Sequence, residues 1–144
     1  MSIVGQTVEN AGASLFADLN SGRFAPGTNV LLQGLNPSNA TSNQRWRFIP
    51  VNSDLNQYKI QNVLTGLYAS VGSAAAGQEV VSSLTAFTWQ VTVVSFSNAN
   101  SIIQIPNTNL VWSAPVGAVP LNNVTIAAAT NNNPNQQWTL RNYV

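Results

Sequence analysis

Neither cysteine nor histidine occurs in the 144 residues. Only nine side chains carry charge: Glu9, Asp18, Asp54 and Glu79 against Arg23, Arg45, Arg47, Lys59 and Arg141. Without cysteine there is no disulfide framework, no thiolate metal site and no thiol nucleophile. Without histidine there is no imidazole ligand and no Ser-His-Asp triad. Charged residues make up 6% of the chain, where about a quarter is usual. Five bases spread along the sequence and a net charge of +1 do not supply the clustered cations that counterion release demands, so no nucleic-acid partner is expected. Long apolar runs are also missing. Stretches such as Val91 to Phe96 are interrupted by Thr or Ser, which excludes a helical membrane span. The start, Met1-Ser2-Ile3-Val4-Gly5, has no basic residue followed by an apolar run. No signal peptide is therefore expected, a cytoplasmic location follows, and the sequons at Asn39 and Asn123 would stay unmodified.

What replaces charge is amide. The chain holds 20 Asn and 10 Gln, whose side chains both donate and accept hydrogen bonds. Such a surface suits a neutral, hydroxyl-rich ligand. No window carries a clean 3.6-residue apolar stripe. Val30-Leu31-Leu32, Tyr58-Lys59-Ile60-Gln61 and Trp89-Gln90-Val91-Thr92-Val93-Val94 are short, β-branched or aromatic, and bounded by Asn, Gly, Pro and Ser. This predicts many short strands joined by tight turns.

The strongest pattern is an internal repeat. Gln44-Arg45-Trp46-Arg47-Phe48, Phe87-Thr88-Trp89-Gln90-Val91 and Gln136-Gln137-Trp138-Thr139-Leu140 are versions of one phrase. Asn10, Asn62 and Asn107 each open a turn. Leu15-Phe16-Ala17-Asp18, Leu67-Tyr68-Ala69-Ser70 and, more loosely, Leu110-Val111-Trp112-Ser113 follow in step. Gly27-Thr28-Asn29-Val30, Gly77-Gln78-Glu79-Val80 and Leu121-Asn122-Asn123-Val124 come next. The units are approximately 1–52, 53–97 and 98–144, within a single domain. No unit of this size buries an apolar face alone, but three around a pseudo-threefold axis share one core. The expected fold is all-β: a β-trefoil, six barrel strands capped by three hairpins, with Trp46, Trp89 and Trp138 inside. Trp112 is expected in the core or the hairpin cap, and Arg45 and Arg47, flanking Trp46, point outward.

Asn43-Gln44-Arg45-Trp46 and Asn135-Gln136-Gln137-Trp138 resemble the QxW signature of ricin B-type lectin domains, and the length and missing cysteines resemble the family's mushroom members. That resemblance implies a lectin without enzymatic activity and without a cofactor. It implies binding of glycans ending in galactose or N-acetylgalactosamine, lactose-type disaccharides among them, and a role in defence; a homodimer is also expected. The family's pocket uses an Asp near the second strand of a unit, residues on and after the third strand, and the amides before the Trp. Carried onto the first repeat, the sites are Asp18, Gly22, Gln33, Gly34, Asn36, Asn43 and Gln44. The second repeat has Ser70 for the Asp and Phe87 for the Gln. The third keeps Asn135 and Gln136 but has Ser113 at the acidic place. Family members stack an aromatic, or in mushroom forms a His, on the sugar. Here Leu31-Leu32-Gln33-Gly34-Leu35 offers neither, leaving Phe24 or Trp112 for that part.

A carboxylate accepts two bonds from adjacent sugar hydroxyls, and its charge strengthens them. The competing structural parts are an Asp18 that caps the N–H groups of Asn20 to Gly22, an Asn43 that forms an Asx-turn, and glutamines at 44 and 136 that hold the hairpin by bonding backbone. Two other functions fit a trefoil. One is a protease inhibitor working through an exposed loop such as Asn36–Asn43 or Ala114–Asn123. The other is a lectin-like subunit that has lost sugar binding. Catalysis fits least: a glycosidase needs two carboxylates about 5–9.5 Å apart, and nothing pairs Asp18 with Asp54.

Overall fold

A computed structural model describes residues 5–36, 42–95 and 99–142. The sequon at Asn39, most of the Asn36–Asn43 loop, the first four residues and Phe96 lie outside the described residues. Twelve strands run in chain order: β1 (Gln6–Asn10), β2 (Phe16–Leu19), β3 (Val30–Gln33), β4 (Trp46–Asn52), β5 (Gln57–Asn62), β6 (Tyr68–Ser70), β7 (Val81–Ser83), β8 (Trp89–Ser95), β9 (Asn100–Gln104), β10 (Leu110–Ser113), β11 (Thr125–Ala128) and β12 (Trp138–Asn142).

Six of them close on themselves. β1 pairs with β4, β4 with β5, β5 with β8, β8 with β9, β9 with β12 and β12 with β1, all antiparallel. The other six form three hairpins, β2–β3, β6–β7 and β10–β11, each hung on a barrel strand. The chain therefore folds as a β-trefoil, as its repeats predict. Closure leaves the barrel without an open edge, the usual hazard of sheets.

The threefold axis is written in hydrogen bonds. Val30 N donates to Val80 O at 3.0 Å, Val80 N to Val124 O at 2.9 Å and Val124 N to Val30 O at 2.9 Å, a closed ring through the three hairpins. All three valines are fully buried. Just before this ring the first two repeats have Gly27 and Gly77 in the left-handed region, at φ +85° and +89°. The third has Leu121 at φ +77°, a conformation that L side chains adopt only with strain. The exposed Glu79 sits at the same axis and accepts bonds from Asn29 Nδ2 and Asn123 Nδ2.

Below the ring, Trp46, Trp89 and Trp138 are buried, and each indole N–H donates to a hairpin carbonyl: Ala17 O at 3.1 Å, Ala69 O at 2.9 Å and Trp112 O at 3.1 Å. Trp112 thus occupies the place that alanine has in the other repeats. It lies edge-on to Trp89 and Trp138, with ring centroids 5.6 and 5.8 Å away. Its Nε1 is the one buried side-chain nitrogen or oxygen among the described residues that lacks a hydrogen-bond partner. Val8, Ile60 and Ile103, one residue per repeat, are fully buried in the same core.

The third repeat departs from the sequence reading at its first turn. Asn10 N bonds Leu15 O and Asn62 N bonds Leu67 O, both at 2.8 Å. The matching bond in the third repeat runs from Ile105 N to Leu110 O at 3.0 Å. Ile105, not Asn107, holds the turn-opening position, and Asn107 lies inside the turn at φ +62°. The spacing is kept, since Ile105 precedes Ser113 by the same offset as Asn10 precedes Asp18; the sequence reading missed it because an apolar residue has replaced the amide.

Candidate functional site

The first repeat folds its amides and its acid around one surface cleft. Asp18 lies on β2, three residues before the backbone kinks at the exposed Ser21 and the half-buried Gly22, both in the left-handed region at φ +55° and +62°. Gln33 ends β3, and Gly34 and Asn36 continue from it. Asn43 and Gln44 belong to a 3-10 turn, Ser42–Gln44, separated from Trp46 by Arg45 alone. Because Trp46 anchors β4 in the core, Asn43 and Gln44 are held facing the β2–β3 hairpin.

These parts meet. Asp18, Gly22, Gln33, Gly34, Asn36, Asn43 and Gln44 all line a cleft of about 530 Å³, together with Ser21, Leu35 and Leu64. Asn43 Nδ2 donates to Asp18 Oδ1 at 3.0 Å and to Leu19 O at 3.2 Å. Gln44 does different work. Its Nε2 donates to Gly34 O at 2.9 Å while its Oε1 accepts from Asn36 N at 3.2 Å. Gln44 is buried, and this two-point clasp fixes the loop after β3 as another peptide unit would. Gln136 repeats the clasp in the third repeat, donating to Ala128 O and accepting from Thr130 N, both at 2.9 Å. Both glutamines thus take the hairpin-holding part.

Asp18 is 8% exposed, and it is the one ionisable residue among those lining the cleft. Burial pushes its carboxyl up to about 6, against the opposing pull of hydrogen bonds from Gln44 and Asn43. The acid does not cap the following turn: the 3-10 turn at Asn20–Gly22 has no side-chain cap. Its carboxylate is aimed across the cleft at Asn43 instead.

The aromatic partner is not where the sequence suggested. Trp112 is fully buried in the core, far from any ligand's reach, because its ring fills the space left by small residues on the axis. Phe24 is 65% exposed and does not line the cleft. What sequence reasoning missed is Leu64, which comes from the β5–β6 turn of the second repeat and stands at the cleft's edge. No linear signal marks it, since only the barrel brings that turn beside the first repeat. The tie is Asn62, whose Nδ2 donates to Asn43 O at 3.1 Å. Asn10 makes the same tie to Asn135 O at 2.9 Å. Ile105 has no amide to offer the second repeat, whose residues before Trp89 also lack the Asn-Gln pair.

In the third repeat Ser113 pairs with Thr125 as Asp18 pairs with Leu31. Asn135 Nδ2 turns to Pro115 O, 3.2 Å away. The Ala114–Asn123 loop is folded into hydrogen-bonded turns, with Ala118 N on Pro115 O at 3.1 Å and Asn122 N on Val119 O at 3.2 Å. That is not the extended shape of a segment bound like a substrate.

Comparisons with known proteins bear on the fold. The family model described as "Ricin-type beta-trefoil lectin domain-like" matches residues 42–126, more than half of the chain. A search of curated protein sequences finds no match. Among solved structures, the chain is similar to a designed threefold-symmetric protein, ThreeFoil, with a TM-score of 0.84 at 16% identity, covering 96% of this chain and 98% of that one. It is similar to the Rhizoctonia solani agglutinin, with a TM-score of 0.82 at 22% identity, covering 96% and 95%. It is also similar to the Macrolepiota procera ricin B-like lectin, solved in complex with lactose, with a TM-score of 0.81 at 18% identity and 99% of both chains covered.

Proposed function

Because the chain belongs to the ricin-type beta-trefoil lectin domain-like family, we propose that it is a carbohydrate-binding protein whose working site is the cleft of its first repeat. The observation that carries this reading is the pairing of the Asp18 carboxylate with the Asn43 amide, 3.0 Å apart, on the wall of an open cleft. A carboxylate held in place by an amide offers strong acceptors, the complement of two neighbouring sugar hydroxyls. The sugars that fit the reading are those ending in galactose or N-acetylgalactosamine, lactose included. The lactose complex of the Macrolepiota procera lectin, which shares the fold, supports that choice. We extend the reading to a fungal defence lectin that acts by binding rather than catalysis and resides in the cytoplasm.

A single shallow cleft binds weakly. Each hydrogen bond nets about 0.5–1.5 kcal/mol because it displaces water. A Kd of about 0.1–1 mM corresponds to roughly 4–5.5 kcal/mol. Multivalent display, through a homodimer or dense glycans, then supplies avidity.

The test is a glycan array of the wild type and Asp18→Asn, with galactose and lactose as competitors. Galactose-terminated glycans should retain the wild type and lose the variant. A wild type that binds no glycan, or a variant with an unchanged pattern, contradicts the reading.

A further inference from the structure

Among the described residues the first-repeat cleft has an acid and amides but no aromatic ring, although a sugar presents a face of C–H groups as well as its hydroxyls. Two leucines line it: Leu35, half-buried on the loop after β3, and the more exposed Leu64, 42% exposed, which comes from the next repeat. The position of Leu64 is fixed from two sides. Asn62, fully buried at the foot of the same turn, accepts from Thr65 N at 3.2 Å and donates to Asn43 O at 3.1 Å, so the turn and the Asn43 segment move together. On the other side Leu64 packs on Gly22: a Cβ built there would lie 2.6 Å from Leu64 Cδ2. Gly22 is thus required twice, by its φ of +62° and by the leucine against it.

At the same place in the third-repeat arrangement the turn supplies no side chain. The turn bonds from Asn10 to Leu15 and from Asn62 to Leu67 align Gly12 with Leu64. A Cβ at Gly12 would fall 2.0 Å from Asn135 Oδ1, so the asparagine occupies the space that the leucine takes beside Asn43. An acid, an amide held toward it and an apolar edge occur together in the first repeat, whereas the third has Ser113, an Asn135 turned to Pro115 and a glycine.

We propose that Leu64 is the platform on which the sugar's C–H face rests, making the site a joint product of two repeats and Leu64 a determinant of its affinity. The inference rests on the carbohydrate reading of the cleft. An aliphatic platform gives apolar burial without the added attraction of an aromatic face, which fits a site of modest affinity.

The experiment titrates lactose and methyl β-galactoside, by calorimetry or amide NMR, into the wild type, Leu64→Ser, Leu64→Met and Asp18→Asn, with cooperative melting as the check of folding. Leu64→Ser should weaken binding about three- to fivefold, the effect of losing a small apolar contact area. Leu64→Met, still apolar, should stay within about twofold. Equal binding by Leu64→Ser and wild type, with Asp18→Asn inactive, overturns the platform and leaves the cleft standing. Equal loss in Leu64→Met and Leu64→Ser assigns the effect to packing on Gly22 and also overturns it. An unaffected Asp18→Asn, or a wild type silent to both sugars, overturns the cleft and the platform together.

Discussion

Replacing Asp18 by Asn should make the protein more stable at neutral pH while abolishing its sugar binding. The carboxyl is raised from 3.8 to about 6 mainly because burial penalises its charge. A group whose folded value lies above its unfolded one favours the folded state most below the unfolded value. That advantage is lost as pH rises through the folded value. Between pH 4 and 6 the wild type should therefore lose stability with rising pH, by at most about 3 kcal/mol for a shift of some two units at 1.36 kcal/mol each. An asparagine carries no such penalty. It can still present its oxygen to Asn43, so it forfeits the charge assistance but keeps the bond. The net gain expected for Asp18→Asn is about 1–3 kcal/mol at pH 7.5, shrinking towards zero at pH 4. Denaturant titrations of both proteins at the two pH values measure it directly. A variant less stable than the wild type at pH 7.5, or a difference that does not change with pH, would refute the desolvation argument.

Sugar binding itself should weaken as pH falls through about 6, because protonation removes the charged acceptor at Asp18; lactose titrations from pH 7.5 to 5 should show a falling affinity. Leu121→Gly should stabilise the fold by about 1 kcal/mol, since it relieves a left-handed leucine where the other repeats have glycine; thermal melts would show a rise of a few degrees. Trp46→Ala should cost about 3–5 kcal/mol, as large aromatic truncations in a core do, and an unchanged melting temperature would contradict its inward placement. Asn62→Ala should cost about 1–3 kcal/mol and weaken sugar binding as well, because it cuts the tie to Asn43 that holds one wall of the cleft; calorimetry on the folded variant separates the two effects.

The features legible in the sequence are those that repeat. Three Trp phrases and three valines, one at or just before the start of each unit's third strand, recur along the chain, and each set is buried about the axis, so their pattern survives in one dimension. Asp18 on β2 and Asn43 and Gln44 in the turn before β4 stand at the spacing that the resemblance implies, and these too can be found by alignment with the QxW phrase. What escaped depends on contacts between repeats. Leu64 reaches the first repeat only because β4 and β5 pair and bring the following turn alongside. Trp112, expected in the core or the hairpin cap, is in the core, but that it fills the axis opposite alanines follows only from the contacts between repeats. Ile105 replaces an asparagine whose partner segment in the second repeat has also changed, and no local pattern marks the position of a lost amide.

The most direct test of sugar binding at the first repeat is an amide chemical-shift map of the wild type titrated with lactose. Shifts should cluster at Asp18, Gly22, Gln33, Asn43 and Leu64, with the corresponding third-repeat residues Ser113 and Asn135 still. No saturable shifts, or shifts centred elsewhere on the barrel, would contradict it.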